Sequence, residues 1–326
     1  MTARTERRAL FASKPPAMAI EIARDRVAAL TVIDSGGATT VASYAVEPLA
    51  GGVVDPVLNA ANIHDPSALA GAIGSVLDKL DARSRRVALV LPDTVAKVSL
   101  VRFEKVPERA SDLDQLIRWQ VRKAAPFKIE EAQVSWAPGP EVSGGGTEFV
   151  VTMARRDIIE KYEAVCDGLG LEAGLVDLAT FSLANAALAA GVASGPGDWL
   201  LVHVAGDYVA LAVLRGEHLV FYRSRSVSDG DLADLVHQTA MYHEDRLGGG
   251  GFARVVLAGA AVYGPAHAER ARRSLEERLG VRIEPLDFRP VAPLRDRISA
   301  DPALLDALAP AAGVLLRERV AGRAVA

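Results

Sequence analysis

An α/β fold in two lobes is what this sequence predicts, and three features predict it. The chain has 326 residues, long for one compact core, so two lobes are the default expectation. Strand-like and helix-like patterns alternate along almost its whole length. Two segments also match each other: Met18 to Val32 and Trp199 to Leu214 both read as strand, tight polar turn, strand.

The elements follow in order. After the first hairpin, Thr39 to Val46 has the β-branched and small residues of a third strand. Asp65-Pro66 opens a helix, with Asp65 as N-cap and Pro66 at the first helical position. Leu69, Ile73, Val76, Leu77 and Leu80 make its apolar stripe. Val87 to Leu91 is a continuous apolar run that suits a fully buried strand. From about residue 92 to 145 the character changes to an inserted helix-and-strands subdomain. Val98 to Phe103 alternates as a strand, and Ser111 with Asp114 reads as a capping box. Leu113, Leu116, Ile117 and Val121 share the face of the helix that follows, which Pro126 stops. Ala132 to Trp136 is strand-like, and Gly144 to Gly146 turns the chain.

Glu148 to Met153 then has the character of a lobe-one core strand. A helix from Asp157 carries Ile158, Tyr162 and Cys166 and ends at Gly170. A short strand at Leu175 to Asp177 and a helix through Leu188 complete lobe one, 17–194. The Gly/Pro-rich stretch from Ala193 to Asp198 marks the boundary. Lobe two, 195–326, opens on the second hairpin and a strand at Leu219 to Arg223. A helix from about Asp229 to Leu247, a strand at Val255 to Leu257 and a helix to Leu279 follow. A strand at Val281 to Glu284 and a last helix from Pro302 to Arg319 close the chain.

Composition narrows the function. A net charge of −4 gives no global reason to expect nucleic acid. The single cysteine, Cys166, excludes an internal disulfide framework and, on an apolar helical stripe, reads as a buried structural thiol. The reducing cytoplasm is the compartment this implies. No apolar run reaches the roughly 20 residues needed to span a bilayer. Residues 1–16, basic and ending in Pro15-Pro16, read as a disordered tail. The Arg83, Arg85, Arg86 cluster reads as a solvated loop. His237 and His243 are six apart on one helix, where chelation wants three or four. No Ser/His/Asp arrangement, Walker loop or complete dinucleotide fingerprint is present.

The two hairpins have the shape of phosphate loops, which need an acid to hold a metal and a glycine for close approach of backbone N–H groups. Here the acid positions are Glu21 and His203, and the glycine positions are Ala23 and Ala205. Glu21 could hold a metal only from a displaced place, and a surface or strand-end glutamate is the expectation. Imidazole is the wrong donor for Mg²⁺, so His203 is expected to be a strand histidine satisfied by hydrogen bonds. Gly206 and Asp207 are expected to make a turn rather than a phosphate cradle.

Several segments carry a resemblance. Val87-Ala-Leu-Val-Leu-Pro-Asp93, then Phe103-Glu-Lys-Val-Pro107, then Leu116-Ile-Arg-Trp-Gln-Val-Arg-Lys-Ala-Ala-Pro-Phe-Lys-Ile-Glu-Glu131 come in that order. Glu148 to Ala154, Val176-Asp177, Leu257-Ala-Gly259 and Ala311 to Arg317 follow. This series resembles the PilM family of type IV pilus assembly proteins, within the actin-like ATPases related to FtsA. The resemblance implies a two-lobed actin-like (ribonuclease H-like) fold with an inserted subdomain in lobe one. It also implies two Asp-x-Gly phosphate loops, where this chain has Glu21-Ile22-Ala23 and His203-Val204-Ala205. The family's adenosine-side glycine cluster is reduced to Gly259-Ala260-Ala261. Between Arg223 and Val255 there is room for one long helix, so the family's upper subdomain of lobe two is expected to be missing or reduced. ATP and Mg²⁺ are therefore not expected as cofactors.

The resemblance implies a partner as well. In the family, a cleft between the inserted subdomain and the first lobe receives the cytoplasmic N-terminal peptide of the bitopic membrane protein PilN. Phe103, Leu116, Trp119, Gln120 and Phe127 are the groove candidates in this chain, against core packing as the alternative. The expected function is a non-catalytic cytoplasmic scaffold, held peripherally at the inner membrane by a PilN-like protein and coupling to pilus motor ATPases. The alternatives are an actin-like ATP-binding protein with an altered site, or the equivalent component of a type II secretion system.

Overall fold

The computed structural model describes residues 16–80, 84–141, 145–227, 231–295 and 300–323. The expected tail up to residue 15, Arg83, Gly144 and the expected helix start at Asp229 lie outside the described residues.

Two five-stranded sheets of the same plan carry the chain. The first is built from β1 (Met18–Ile22), β2 (Arg26–Ser35), β3 (Ala38–Pro48), β4 (Arg86–Leu91) and β8 (Glu172–Leu178), in the order β3-β2-β1-β4-β8. The second is built from β9 (Asp198–Val204), β10 (Tyr208–Arg215), β11 (His218–Ser226), β12 (Arg254–Ala258) and β13 (Ile283–Pro285), in the order β11-β10-β9-β12-β13. In each, three strands form an antiparallel meander, and two more join parallel to the first of them. The apolar runs require this placement. Every residue of β1 and of β9 is buried, which only a strand covered on both faces can achieve.

Helices α1 (Pro66–Lys79) and α3 (Arg156–Gly168) cover the outer face of the first sheet, with Leu69, Ile73, Tyr162 and Cys166 in one core with Met18 and Ile20. Asp65 caps α1 by accepting the Ala68 N–H at 2.9 Å. Burial pushes the Cys166 thiol up to about 11, so it is neutral and inert at physiological pH. Helices α5 (Leu232–Leu247) and α6 (Pro265–Leu279) cover the second sheet in the same way. Two further helices, α4 (Ala179–Ala189) and α7 (Pro302–Arg323), join the lobes, sharing one core with Ala19 and Leu30 of the first sheet and Leu201 and Ala212 of the second. Small residues let them cross closely. A Cβ on Gly313 of α7 would lie 1.8 Å from the Ser182 carbonyl oxygen of α4.

A third sheet, order β5-β7-β6, stands apart from both. It comprises β5 (Ala96–Phe103), β6 (Ala132–Glu141) and β7 (Thr147–Arg155), all antiparallel, with α2 (Ala110–Val121) on one face. Its middle strand is β7, which the sequence pattern assigns to the lobe-one core; the unit thus continues past the expected limit near residue 145. The apolar alternation of Phe149, Val151 and Met153 is real, but the core it faces is that of α2. The expected capping box is also absent. Arg109 is the N-cap and no side chain caps the helix. Asp114 instead accepts from Arg118 Nε at 2.7 Å and Trp136 Nε1 at 3.3 Å. A charged donor one turn on outcompetes a neutral backbone amide. Among the described residues, no helix is long and apolar enough to cross a membrane.

Candidate functional site

The two hairpin turns meet at the junction of the lobes, and each closes on itself. Ala23 N–H donates to the Arg26 carbonyl at 2.9 Å, and Ala205 N–H donates to the Tyr208 carbonyl, also at 2.9 Å. The amides at the glycine positions of a phosphate loop are thus consumed within their own turns. Gly206 lies in the second turn, where a Cβ would sit 3.1 Å from the Tyr263 hydroxyl and 3.5 Å from Asp25 Oδ2. A side chain there would crowd Tyr263 of the same lobe, while Asp25 of lobe one stays at ordinary contact distance. Arg24 spans the gap, 3.3 Å from Asp55 and 3.9 Å from Asp207.

Glu21 stands at the end of β1 and is buried, 3% exposed, where a surface position was one expectation. What makes burial tolerable is Arg26, whose Nη2 lies 3.3 and 3.4 Å from the two carboxylate oxygens. Burial still raises the Glu21 pKa, against the opposing pull of Arg26 and His203. The acid of the first hairpin therefore carries an arginine where a phosphate loop would carry a metal.

His203, near the end of β9, belongs to a network that crosses the lobes. Its Nδ1 is 2.9 Å from Thr180 Oγ1, which donates to Asp93 Oδ2 at 2.5 Å. Asp93 Oδ1 also accepts the Thr180 N–H at 3.3 Å, so Asp93 caps the start of α4 from a distance in sequence. The Asp93 N–H reaches the Tyr208 hydroxyl at 3.2 Å, and the His203 and Tyr208 rings meet edge to face at 5.4 Å.

On the adenosine side, Gly259 has φ +84°, and a Cβ there would lie 2.3 Å from the Val204 carbonyl oxygen. The loop it starts gives its Ala261 N–H to Asp306 Oδ2 of α7 at 2.8 Å. Burial raises the Asp306 pKa, with the Ala261 and Gly259 amides opposing. The residues present do not fit Mg-ATP. Both turn amides, the glycine-loop amide, the Glu21 carboxylate and His203 are each engaged by the protein itself. Among the described residues, no group of three or more His, Cys, Asp or Glu side chains is arranged to hold a metal ion.

A second feature lies beside this junction. A cavity of about 530 Å³ separates the third sheet from β8, α4 and the β10–β11 corner. Strand alternation lines it with Gln133, Ser135 and Ala137 of β6 and Val150 and Thr152 of β7, the residues that face away from α2. Leu175, Phe181 and Leu188 form the opposite wall, with Asp177, Asn185 and Arg317 as its polar groups. Burial raises the Asp177 carboxyl to about 6, against the Leu178 amide and Arg317.

None of the five groove candidates lines this cavity. Phe103, Leu116 and Phe127 pack into the core between α2 and its sheet. Trp119, 69% exposed, and Gln120 lie on the solvent face of α2. The lining residues escape a reading of the sequence because β6 and β7 alternate on both faces. Pattern alone does not tell which face α2 takes. His243, read as no metal ligand, is buried against Asp198 at 2.7 Å and stacked on Phe252.

Comparison with known proteins agrees with this architecture. The family model described as Type IV pilus assembly protein PilM matches residues 19–244. Among solved structures, the chain is similar to one described as a PilM-PilN type IV pilus biogenesis complex. The TM-score is 0.77 at 20% identity, covering 93% of this chain and 98% of that one. A protein of actin-like ATPase fold and unknown function from Bacteroides thetaiotaomicron has a TM-score of 0.49 at 9% identity, covering 84% and 91% of the two chains. The cytoplasmic domain of EpsL, an inner-membrane component of the type II secretion system of Vibrio cholerae, has 0.45 at 13%, covering 74% and 80%. No curated protein sequence matches. The fold is thus the two-lobed α/β fold of that PilM-PilN structure. Because the family model spans most of its length, the chain belongs to the family of the type IV pilus assembly protein PilM.

Proposed function

We propose that this chain is a non-catalytic scaffold of type IV pilus assembly that binds the cytoplasmic N-terminal peptide of a PilN-like inner-membrane protein. The observation that carries this reading is the cavity between the third sheet and the two lobes, with apolar walls from Val150, Leu175, Phe181 and Leu188. Its volume of about 530 Å³ accommodates a few apolar side chains of an extended segment, and a preformed groove spares the ordering cost on the protein's side. Asp177, Asn185 and Arg317 supply polar anchors that set direction. A similar chain forms a complex with PilN, which supports the choice of partner. The scaffold reading, in place of ATP hydrolysis, is supported by the engaged amides and by the Glu21–Arg26 pair. Peripheral attachment to the inner membrane follows from the partner, and motor ATPases are then the natural cytoplasmic neighbours.

Isothermal titration calorimetry with the partner's N-terminal peptide tests the reading. Filling the groove with Thr152→Trp should abolish the heat, while Trp119→Ala on the outer face of α2 should leave it unchanged. Undiminished binding by the Thr152 variant, or no heat with the unaltered chain, would sink the proposal.

A further inference from the structure

Trp119 is the exception among the three tryptophans. Trp199 is buried and donates its Nε1–H to the Gly216 carbonyl at 2.9 Å, while Trp136 donates to Asp114 and meets Phe149 edge to face. Trp119 is 69% exposed, more than any other large apolar side chain of the described residues. Among the described residues, no aromatic ring stacks on its indole and no cation lies over it. The packing of α2 onto its sheet does not call for it, because Leu113, Ile117 and Val121 supply the buried face. An indole left in water forgoes the large stabilisation its burial would bring.

The charges around it are of one sign. From Gln115 to Ile129 the chain holds four basic residues and no acidic one. Two of the four are neutralised, Arg118 by Asp114 at 2.7 Å and Lys128 by Glu131 at 3.7 Å. Arg122 and Lys123 are exposed and, among the described residues, form no ion pair. Helical bonding continues past them, with the Arg122 N–H on the Arg118 carbonyl and the Ala125 N–H on the Val121 carbonyl. Positions three and four beyond Trp119 therefore share its face. Lys97 of β5 reaches the same end of the helix and donates Nζ to the Ala124 carbonyl at 2.7 Å. Glu108 and Asp112 lie at the opposite end of α2, and Glu130 in the short turn before β6. The helix dipole favours cations at this terminus, but it gives no reason for an exposed indole beside them.

We propose that Trp119, Arg122, Lys123 and Lys97 form a direct contact with an anionic lipid surface, separate from the peptide groove. An indole beside cations suits a membrane interface, where the ring sits at headgroup level and the cations meet lipid phosphates. The helix covers the face of the third sheet opposite the groove lining, so the patch stays free when the groove is filled. The choice of a membrane as occupant rests on the proposed function, in which the partner brings the chain to the bilayer. A weak lipid contact then gains from the high effective concentration that tethering supplies.

The test is sedimentation of the full chain with vesicles of pure phosphatidylcholine and with vesicles of equal parts phosphatidylcholine and phosphatidylglycerol, with tryptophan emission recorded alongside. No partner peptide is present, so the outcome does not depend on the groove. The expected result is association with the anionic vesicles alone, a blue shift of the emission, and loss of both at high salt. Replacing Arg122 and Lys123 together by Gln should weaken association by roughly twenty-fivefold, about fivefold for each charge removed. Trp119→Ala should remove the blue shift. Circular dichroism should show these variants folded, and calorimetry should show them binding the partner peptide as before, which separates this contact from the groove. Equal association with pure phosphatidylcholine, undiminished association by the double variant, or a blue shift that survives Trp119→Ala would overturn the proposal. So would no association with the anionic vesicles, the result expected if the patch serves a protein instead.

Discussion

Replacing Arg26 by methionine is expected to leave Glu21 as a buried charge without a partner. The two side chains are 9% and 4% exposed, with Nη2 3.3 Å from Oε1. Breaking a buried pair by removing one member costs about 3–5 kcal/mol, because the remaining ion keeps its desolvation and loses its counter-ion. The pair is long for a charge-assisted hydrogen bond, and His203 also pulls on the Glu21 carboxylate. The lower end, about 3 kcal/mol, is therefore expected. The substitution also removes the Arg26–Asp25 ion pair, but that carboxylate is 43% exposed and adds little. The penalty should depend on pH in a stated direction. Burial has already raised the Glu21 pKa, and losing Arg26 raises it further. A carboxyl with a raised folded pKa binds its proton more tightly in the folded state, so stability falls as pH rises from the unfolded value through the folded one. Arg26→Met should thus be penalised most at alkaline pH and less on acidification. Adding Glu21→Gln removes the charge and should restore most of the loss. Urea unfolding followed by tryptophan fluorescence at alkaline and mildly acidic pH measures all three. A penalty below about 1 kcal/mol at the alkaline pH, or a double variant no more stable than Arg26→Met, would refute the ion pair as the group that replaces a metal here.

Gly313→Ala should separate α4 from α7, since its Cβ would lie 1.8 Å from the Ser182 carbonyl oxygen; a loss of about 3 kcal/mol is expected, and an unchanged Tm would count against the crossing. Gly259→Ala meets both the φ of +84° and the Val204 carbonyl at 2.3 Å, so a cost of about 2 kcal/mol or more should appear in urea unfolding. Asp177→Asn should stabilise the chain at neutral pH. Moving that carboxyl from 3.8 to about 6 corresponds to up to about 3 kcal/mol. The unaltered protein should lose stability as pH rises from about 4 to about 6, and the variant should not; parallel urea midpoints across that window would contradict the assignment.

Much of the fold is legible in the residues themselves. The two hairpins stand out because a buried central strand is mostly apolar and a tight turn is polar. Asp65-Pro66 announces its helix because capping is a local matter. The residue types at Glu21, Ala23, His203 and Ala205 by themselves point away from a metal-phosphate site. Even the Glu21–Arg26 pair has a signal, since opposite charges flanking a tight turn are brought together by strand pairing. Other features need the tertiary structure. The Asp93, Thr180 and His203 network joins residues 87 and 23 positions apart, a distance over which no local rule operates. The apolar alternation of β7 suits a half-buried strand of any sheet, and its pairing with β5 and β6 is set by the fold. Trp119 shows the limit most clearly. Its sequence setting is compatible with a core or a groove, and the fold leaves it on the surface of α2. The sequence alone determined the type and order of the elements and the residue types at the phosphate-loop positions, because spacing and local bonding decide the first and the chain itself the second. Tertiary structure decided which face of each strand meets a helix and which meets a cavity, because that depends on neighbours far away in the chain.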